Sequence, residues 1–179
     1  MNGRRFARLR NGPATDDVNP VPDDGMCLNA FLVVRSRDRP GEVLLGQVDP
    51  AAPWGPVGGL GPDRIARIGD RWMLPASQLL LLESPDDAAR RLARELLGQE
   101  IEPLPAPRVL SETYRRAGST ASDPHWDLHY VYEFVGPATA PARGRMWRRL
   151  DYRPVRTMAP EEFARGHHDV LALVGLRDP

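Results

Sequence analysis

Four side chains near the C-terminal third could act together. His125, Asp127, His129 and Glu133 sit two residues apart from one another or four, in a stretch that alternates as a strand does. That spacing sends all four to one side of a strand. Imidazoles and carboxylates on one side can share a metal ion or a phosphate, and the imidazoles favour zinc or manganese over magnesium. The alternative is a solvent-facing polar surface of the strand. His167, His168 and Asp169 also invite a metal. Neighbours on a helix point about 100° apart, so an exposed polar surface or a helix cap suits them better. Among the tryptophans, Trp54 lies in a Pro/Gly-rich loop and is the candidate to stack on a base. Trp126 falls on the apolar side of its strand and belongs to the core.

Several elements must hold these groups. Residues 28–35 form a short apolar, β-branched run that predicts a buried strand. The turn Asp38-Arg39-Pro40-Gly41 leads to a hairpin partner over 42–48. Residues 49–71, rich in Pro and Gly, read as one long loop. The run Leu79 to Leu82 is a buried strand or a turn. A helix is predicted from Ser84, its N-cap, through about Leu97. Pro85 occupies the first helical position, Asp86 and Asp87 complement the dipole, and Gly98 stops the helix. Ala89, Leu92, Ala93 and Leu96 form its buried stripe. Asp86–Arg90 and Asp87–Arg91 are expected as i, i+4 pairs on its outer surface. Strands follow over 108–115, 125–135 and 146–152, then a helical segment over 160–174 broken near Gly166.

Composition sets limits. With 179 residues the chain has room for one domain. We divide it into an N-terminal arm and loop over 1–25 and a folded domain over 26–179. Twenty-four basic residues, all arginine, balance 24 acidic ones. Zero net charge gives no overall field to draw in nucleic acid or a membrane surface. The arginines beside so much Ala, Pro and Gly reflect GC-rich codon usage, so their number alone does not indicate phosphate recognition. A single cysteine, Cys27, excludes an internal disulfide and points to a cytoplasmic setting. No secretory signal or membrane-spanning stretch is legible.

The stretch from Trp72 to Gly98, WMLPASQLLLLESPDDAARRLARELLG, resembles the Nudix hydrolase signature. Glu83-Ser84-Pro85 followed by Ala88-Ala89 matches the approach to the family's helix. Arg91 stands eight residues after Glu83, and Gly98 closes the box at the right distance. The resemblance implies an α/β (α+β) fold, a Nudix-type α/β/α sandwich with a mixed β-sheet, covering about residues 27–175. It also implies attack at phosphorus in a nucleoside diphosphate linked to another group, assisted by magnesium or manganese. The expected partner is a nucleotide or other phosphorylated small molecule, with neither nucleic acid nor membrane, and the family pattern admits a homodimer.

The same register shows departures. Ser77 stands at the family glycine, Leu92 at the Glu of Arg-Glu, and Leu96 at the second Glu of the Glu-Glu pair. Glu95 keeps the first. Magnesium requires oxygen ligands, and two leucines one turn apart supply none. Glu95 is then the candidate catalytic residue, with Glu95 and Glu83 as candidate metal ligands. Glu83, Ser84, Arg91 and Gly98 form the structural frame, and Glu83 with Arg91 resembles the pair that braces the loop before the helix. Trp54, His125, Asp127 and His129 are the candidate ligand-binding residues. Three functions stay open: a ligand-binding domain with weak or lost metal-dependent hydrolysis, an active hydrolase recruiting carboxylates such as Glu112, Asp127 or Glu133, and a scaffold or dimerisation domain.

Overall fold

The structure is a computed structural model and describes residues 26–54, 62–80, 82–102, 104–114, 125–141, 145–164 and 166–178, with the side chains of 26, 113, 114, 125 and 126 set aside. The expected N-terminal arm lies outside the described residues.

Strand β1 (Met26–Arg35) runs through the centre of the sheet. Its apolar, β-branched sequence suits burial on both faces. On one side it pairs in parallel with β5 (His125–Val135), from Met26↔Trp126 to Arg35↔Val135. On the other it pairs antiparallel with β3 (Ala76–Gln78) and, at its far end, with β2 (Glu42–Val48). Strand β4 (Arg108–Tyr114) borders β5, and β6 (Trp147–Pro154) borders β2. The order is β4-β5-β1-β2-β6, with β3 alongside β1. The sheet is mixed, as the family resemblance implies.

Strand alternation divides the core in two. Ala30, Leu32 and Val34 pack with Leu92, Leu96, Tyr132 and Trp147. Phe31 and Val33 pack on the opposite face with Trp72, Phe163, Val170 and Leu171. Helix α2 (Pro85–Leu92) covers the first face and helix α3 (His167–Leu173) the second. This is the three-layer arrangement that two apolar sheet faces require. Gly46 leaves room on β2 for the Trp147 indole, since a Cβ there would lie 2.2 Å from it.

Three expectations are corrected. The loop over 49–71 contains a helix, α1 (Pro62–Ile68). It has proline at its start, Asp63 in the first turn and Arg67 in the last, but only Ile68 is buried, so apolar periodicity hardly marks it. Helix α2 keeps its caps, with Ser84 Oγ accepting from the Asp87 N–H at 3.1 Å and Gly98 left-handed at φ 64°. Beyond Leu92, however, it continues as a π-turn over Ala93–Leu97, and Trp147 donates its indole N–H to the Leu96 carbonyl at 2.7 Å. The wider turn disrupts the ordinary ladder, leaving that carbonyl open to a side-chain donor. The two surface pairs on α2 do not form either. Asp86 accepts from the Tyr132 hydroxyl, Arg90 reaches Glu102 and Asp87, and Arg91 turns inward.

The run of leucines ends as a turn. Leu79 is buried, while Leu82 is 97 % exposed and adopts φ 65°. A branched residue is uncommon in that conformation. Among the described residues no helix is long and apolar enough to cross a membrane.

Candidate functional site

The frame around α2 begins with Glu83. Its carboxylate accepts from Arg91 Nε at 2.7 Å, from Arg91 Nη2 at 2.9 Å and from the Leu80 N–H at 2.8 Å. Arg91 also donates to the Gln78 carbonyl at 3.2 Å and reaches Glu95 at 3.5 Å. Burial alone would lower the Arg91 guanidinium pKa, but the hydrogen bonds and charge of Glu83, then of Glu95, raise it above its usual value. The fork-to-fork geometry suits a guanidinium and a carboxylate. It ties the loop from Gln78 to Glu83 onto the helix. Ser84 and Gly98 hold the two helix ends as described.

The metal question turns on the same helix. Leu92 and Leu96 are 0 % exposed and belong to the core shared with Leu32, Tyr132 and Trp147. Both Glu83 oxygens are engaged by Arg91 and Leu80. Of the two candidate metal ligands, Glu95, with its side chain 38 % exposed, is the one that faces water, while Glu83 is 11 % exposed. One carboxylate beside a guanidinium does not fit a magnesium ion that needs several oxygens in near-octahedral array. Among the described residues, no three His, Cys, Asp or Glu side chains gather in an arrangement that could hold a metal ion.

A second polar group lies on the opposite sheet face. Register aligns Glu112 with Asp127 and Cys27 in one row, and His129 with Asn29 and Gln78 in the next. His129 Nε2 lies 3.4 Å from Glu112 Oε2, and its Nδ1 lies 3.2 Å from Asn29 Nδ2. An imidazole protonated at Nε2 satisfies both contacts, donating to Glu112 and accepting from Asn29. Gln78 donates its amide N–H to Cys27 Sγ at 3.0 Å. Burial, then the nearby Asp127 charge, push the Cys27 thiol up to about 12, so it stays protonated and unreactive at neutral pH. Phe31 meets His129 edge to face at 5.0 Å and His167 at 5.5 Å.

The candidate residues therefore separate. Asp127 and His129 share a face, and both are buried rather than solvent-facing. The His125 side chain lies outside the described residues. Glu133, two rows further along, pairs with Arg35 at 2.9 Å and Arg108 at 3.1 Å and does not join them. Trp54 is 1 % exposed, sends its indole N–H to the Asp49 carbonyl, and meets Trp147 edge to face at 4.9 Å. Its ring is occupied by the core and offers no surface for stacking. His167 is also a correction. It is buried and accepts the Leu74 N–H at 3.0 Å, so it braces β3's approach instead of lying on an exposed polar surface.

Sequence reasoning missed Asn29 and Gln78. Asn29 interrupts an otherwise apolar run, and a polar residue inside a buried strand needs a partner. That interruption was the available signal.

No family model matches the sequence, and no curated protein matches it either. Solved structures do. A MutT Nudix hydrolase from Burkholderia pseudomallei superposes with a TM-score of 0.52 at 16 % identity, over 83 % of this chain and 98 % of that one. The Nudix domain of Shewanella oneidensis NrtR, complexed with ADP-ribose, superposes with a TM-score of 0.53 at 15 % identity, over 84 % and 86 %. At these identities the likeness concerns the fold, and the chain has the Nudix fold.

Proposed function

We propose that this chain binds a nucleotide or other phosphorylated small molecule and that its metal-dependent pyrophosphohydrolysis is weak or lost. The observation that carries this reading is the complete burial of Leu92 and Leu96 at the two positions where the family resemblance calls for carboxylates. Glu95 alone cannot hold and neutralise a diphosphate-bound magnesium. The complex of the NrtR Nudix domain with ADP-ribose supports a binding role for the fold and supplies the first probe. Isothermal titration with ADP-ribose, with and without magnesium or manganese, is expected to show binding that does not depend on the metal, with no release of AMP. Turnover that requires the metal and disappears in Glu95→Gln would sink this reading.

One observation favours a second reading. Glu112 shares a row with Asp127 and lies against His129 of the next, which offers an active hydrolase a base on this face. That reading requires metal-dependent turnover that survives Glu95→Gln and is lost in Glu112→Gln.

A further inference from the structure

A different part of the molecule gathers three arginines, two of which carry a buried nitrogen without a hydrogen-bond partner among the described residues. Trp72 and Phe163 form a bridge at the edge of the second core, with Trp72 N–H donating to the Glu162 carbonyl and Ala164 N–H returning to the Trp72 carbonyl. Arg149 and Arg153 of β6 lie over the Trp72 ring, with guanidinium carbons 5.2 and 4.9 Å from its centre. Arg177, beyond α3, lies 5.1 Å from the centre of Phe163. Three arginines from two separate segments thus meet two adjacent aromatic rings.

Cation–π contact accounts for where these side chains rest, but not for their hydrogen bonds. Arg153 Nε and Arg177 Nη1 are buried and have no hydrogen-bond partner among the described residues. Most guanidiniums elsewhere in the described structure find acceptors: Arg91 on Glu83, Arg90 on Glu102, Arg35 and Arg108 on Glu133, Arg148 on Asp70. Asp151 lies between Arg149 and Arg153 on the same side of β6, and among the described residues no ion pair joins it to either. A buried donor without an acceptor is costly and calls for an explanation, an unseen ion among them. The planar guanidinium fork matches the oxygens of a phosphoryl group or carboxylate.

We infer that the Trp72–Phe163 ledge, with Arg153 and Arg177 as its donors and Arg149 adding charge, is a binding site for a small multivalent oxyanion. It is separate from the α2 frame and from the Asp127–His129 rows, and it stands whether or not the chain binds ADP-ribose.

The test is a titration of the full chain with inorganic pyrophosphate at constant ionic strength, followed by calorimetry, with citrate as a parallel arm. Saturable binding is expected, weakened at least tenfold in Arg177→Gln and in Arg153→Lys, which keeps the charge and the ring contact but loses the fork. Arg148→Gln, whose parent side chain pairs with Asp70, should bind as the wild type does. Equal affinity for citrate would assign the site to oxyanions generally, and preference for pyrophosphate would assign it to phosphoryl groups. The inference is overturned if no saturable binding occurs at millimolar concentration, if Arg148→Gln weakens binding as much as Arg177→Gln, or if Arg177→Gln and Arg153→Lys bind the anion as the wild type does.

Discussion

Glu83 shows how much one carboxylate can organise. It accepts from the guanidinium of Arg91 and from the Leu80 N–H while its side chain remains only 11 % exposed. Removing it leaves a buried guanidinium without its main partner. Breaking such a pair costs about 3 kcal/mol or more, so Glu83→Ala is expected to lower the free energy of unfolding by that order, read from urea denaturation. Glu95→Gln, at an exposed position on the same helix, should change stability by less than about 0.5 kcal/mol. The spacing of Glu83 and Arg91 was legible in the sequence through its family resemblance. Simple helical geometry, by contrast, led to Asp87 as the partner of Arg91. Periodicity knows which residues share a helix face, but not that a loop returns a carboxylate to that face.

At the scale of the element, the packing of α2 limits what can stand at positions 92 and 96. Leu92 and Leu96 do not line an open cleft, because the Trp147, Tyr132 and Leu32 side chains fill the space beside them. The paired substitution Leu92→Glu and Leu96→Glu is expected to destabilise the fold by several kcal/mol, since each carboxylate would be buried without a partner. It should not create metal-dependent hydrolysis. Thermal melts with and without magnesium and a hydrolysis assay check both expectations, and a stable variant that gains metal-dependent turnover would contradict them. The caps of this helix were readable because Ser84, Pro85 and Gly98 act on their own backbone neighbours. The π-turn was not, because it is linked to Trp147 on a strand about fifty residues away. Helix α1 was missed for a simpler reason: with a single buried residue it leaves little periodic trace.

Across the whole molecule, the two sheet faces differ in kind. One is mostly apolar beneath α2, while the other becomes polar towards the start of β1 and β5 and meets His167 beneath α3. Burial, helped by the positive charge of Arg64, lowers the His167 pKa from 6.5 to about 3. An unfolded chain takes up a proton below pH 6.5 that the folded chain refuses until about pH 3. Stability should therefore fall as pH drops through that window, by at most about 1.4 kcal/mol per pH unit. Urea midpoints at pH 7 and pH 5 should differ accordingly, and His167→Gln should flatten that part of the slope. Strand positions were legible in the apolar runs and the mixed sheet in the resemblance, but the strand order was not, and neither was this buried histidine, because adjacency to His168 and Asp169 suggested exposure.

Gln78 joins those two faces. Its carbonyl holds Arg91 beneath α2, while its amide reaches through to Cys27 in the polar rows on the far side. A displacement of this one residue by an ångström would loosen contacts in both layers together. The loop before the helix and the buried polar rows thus share one anchoring residue, so Gln78→Ala is expected to weaken both sets of contacts together.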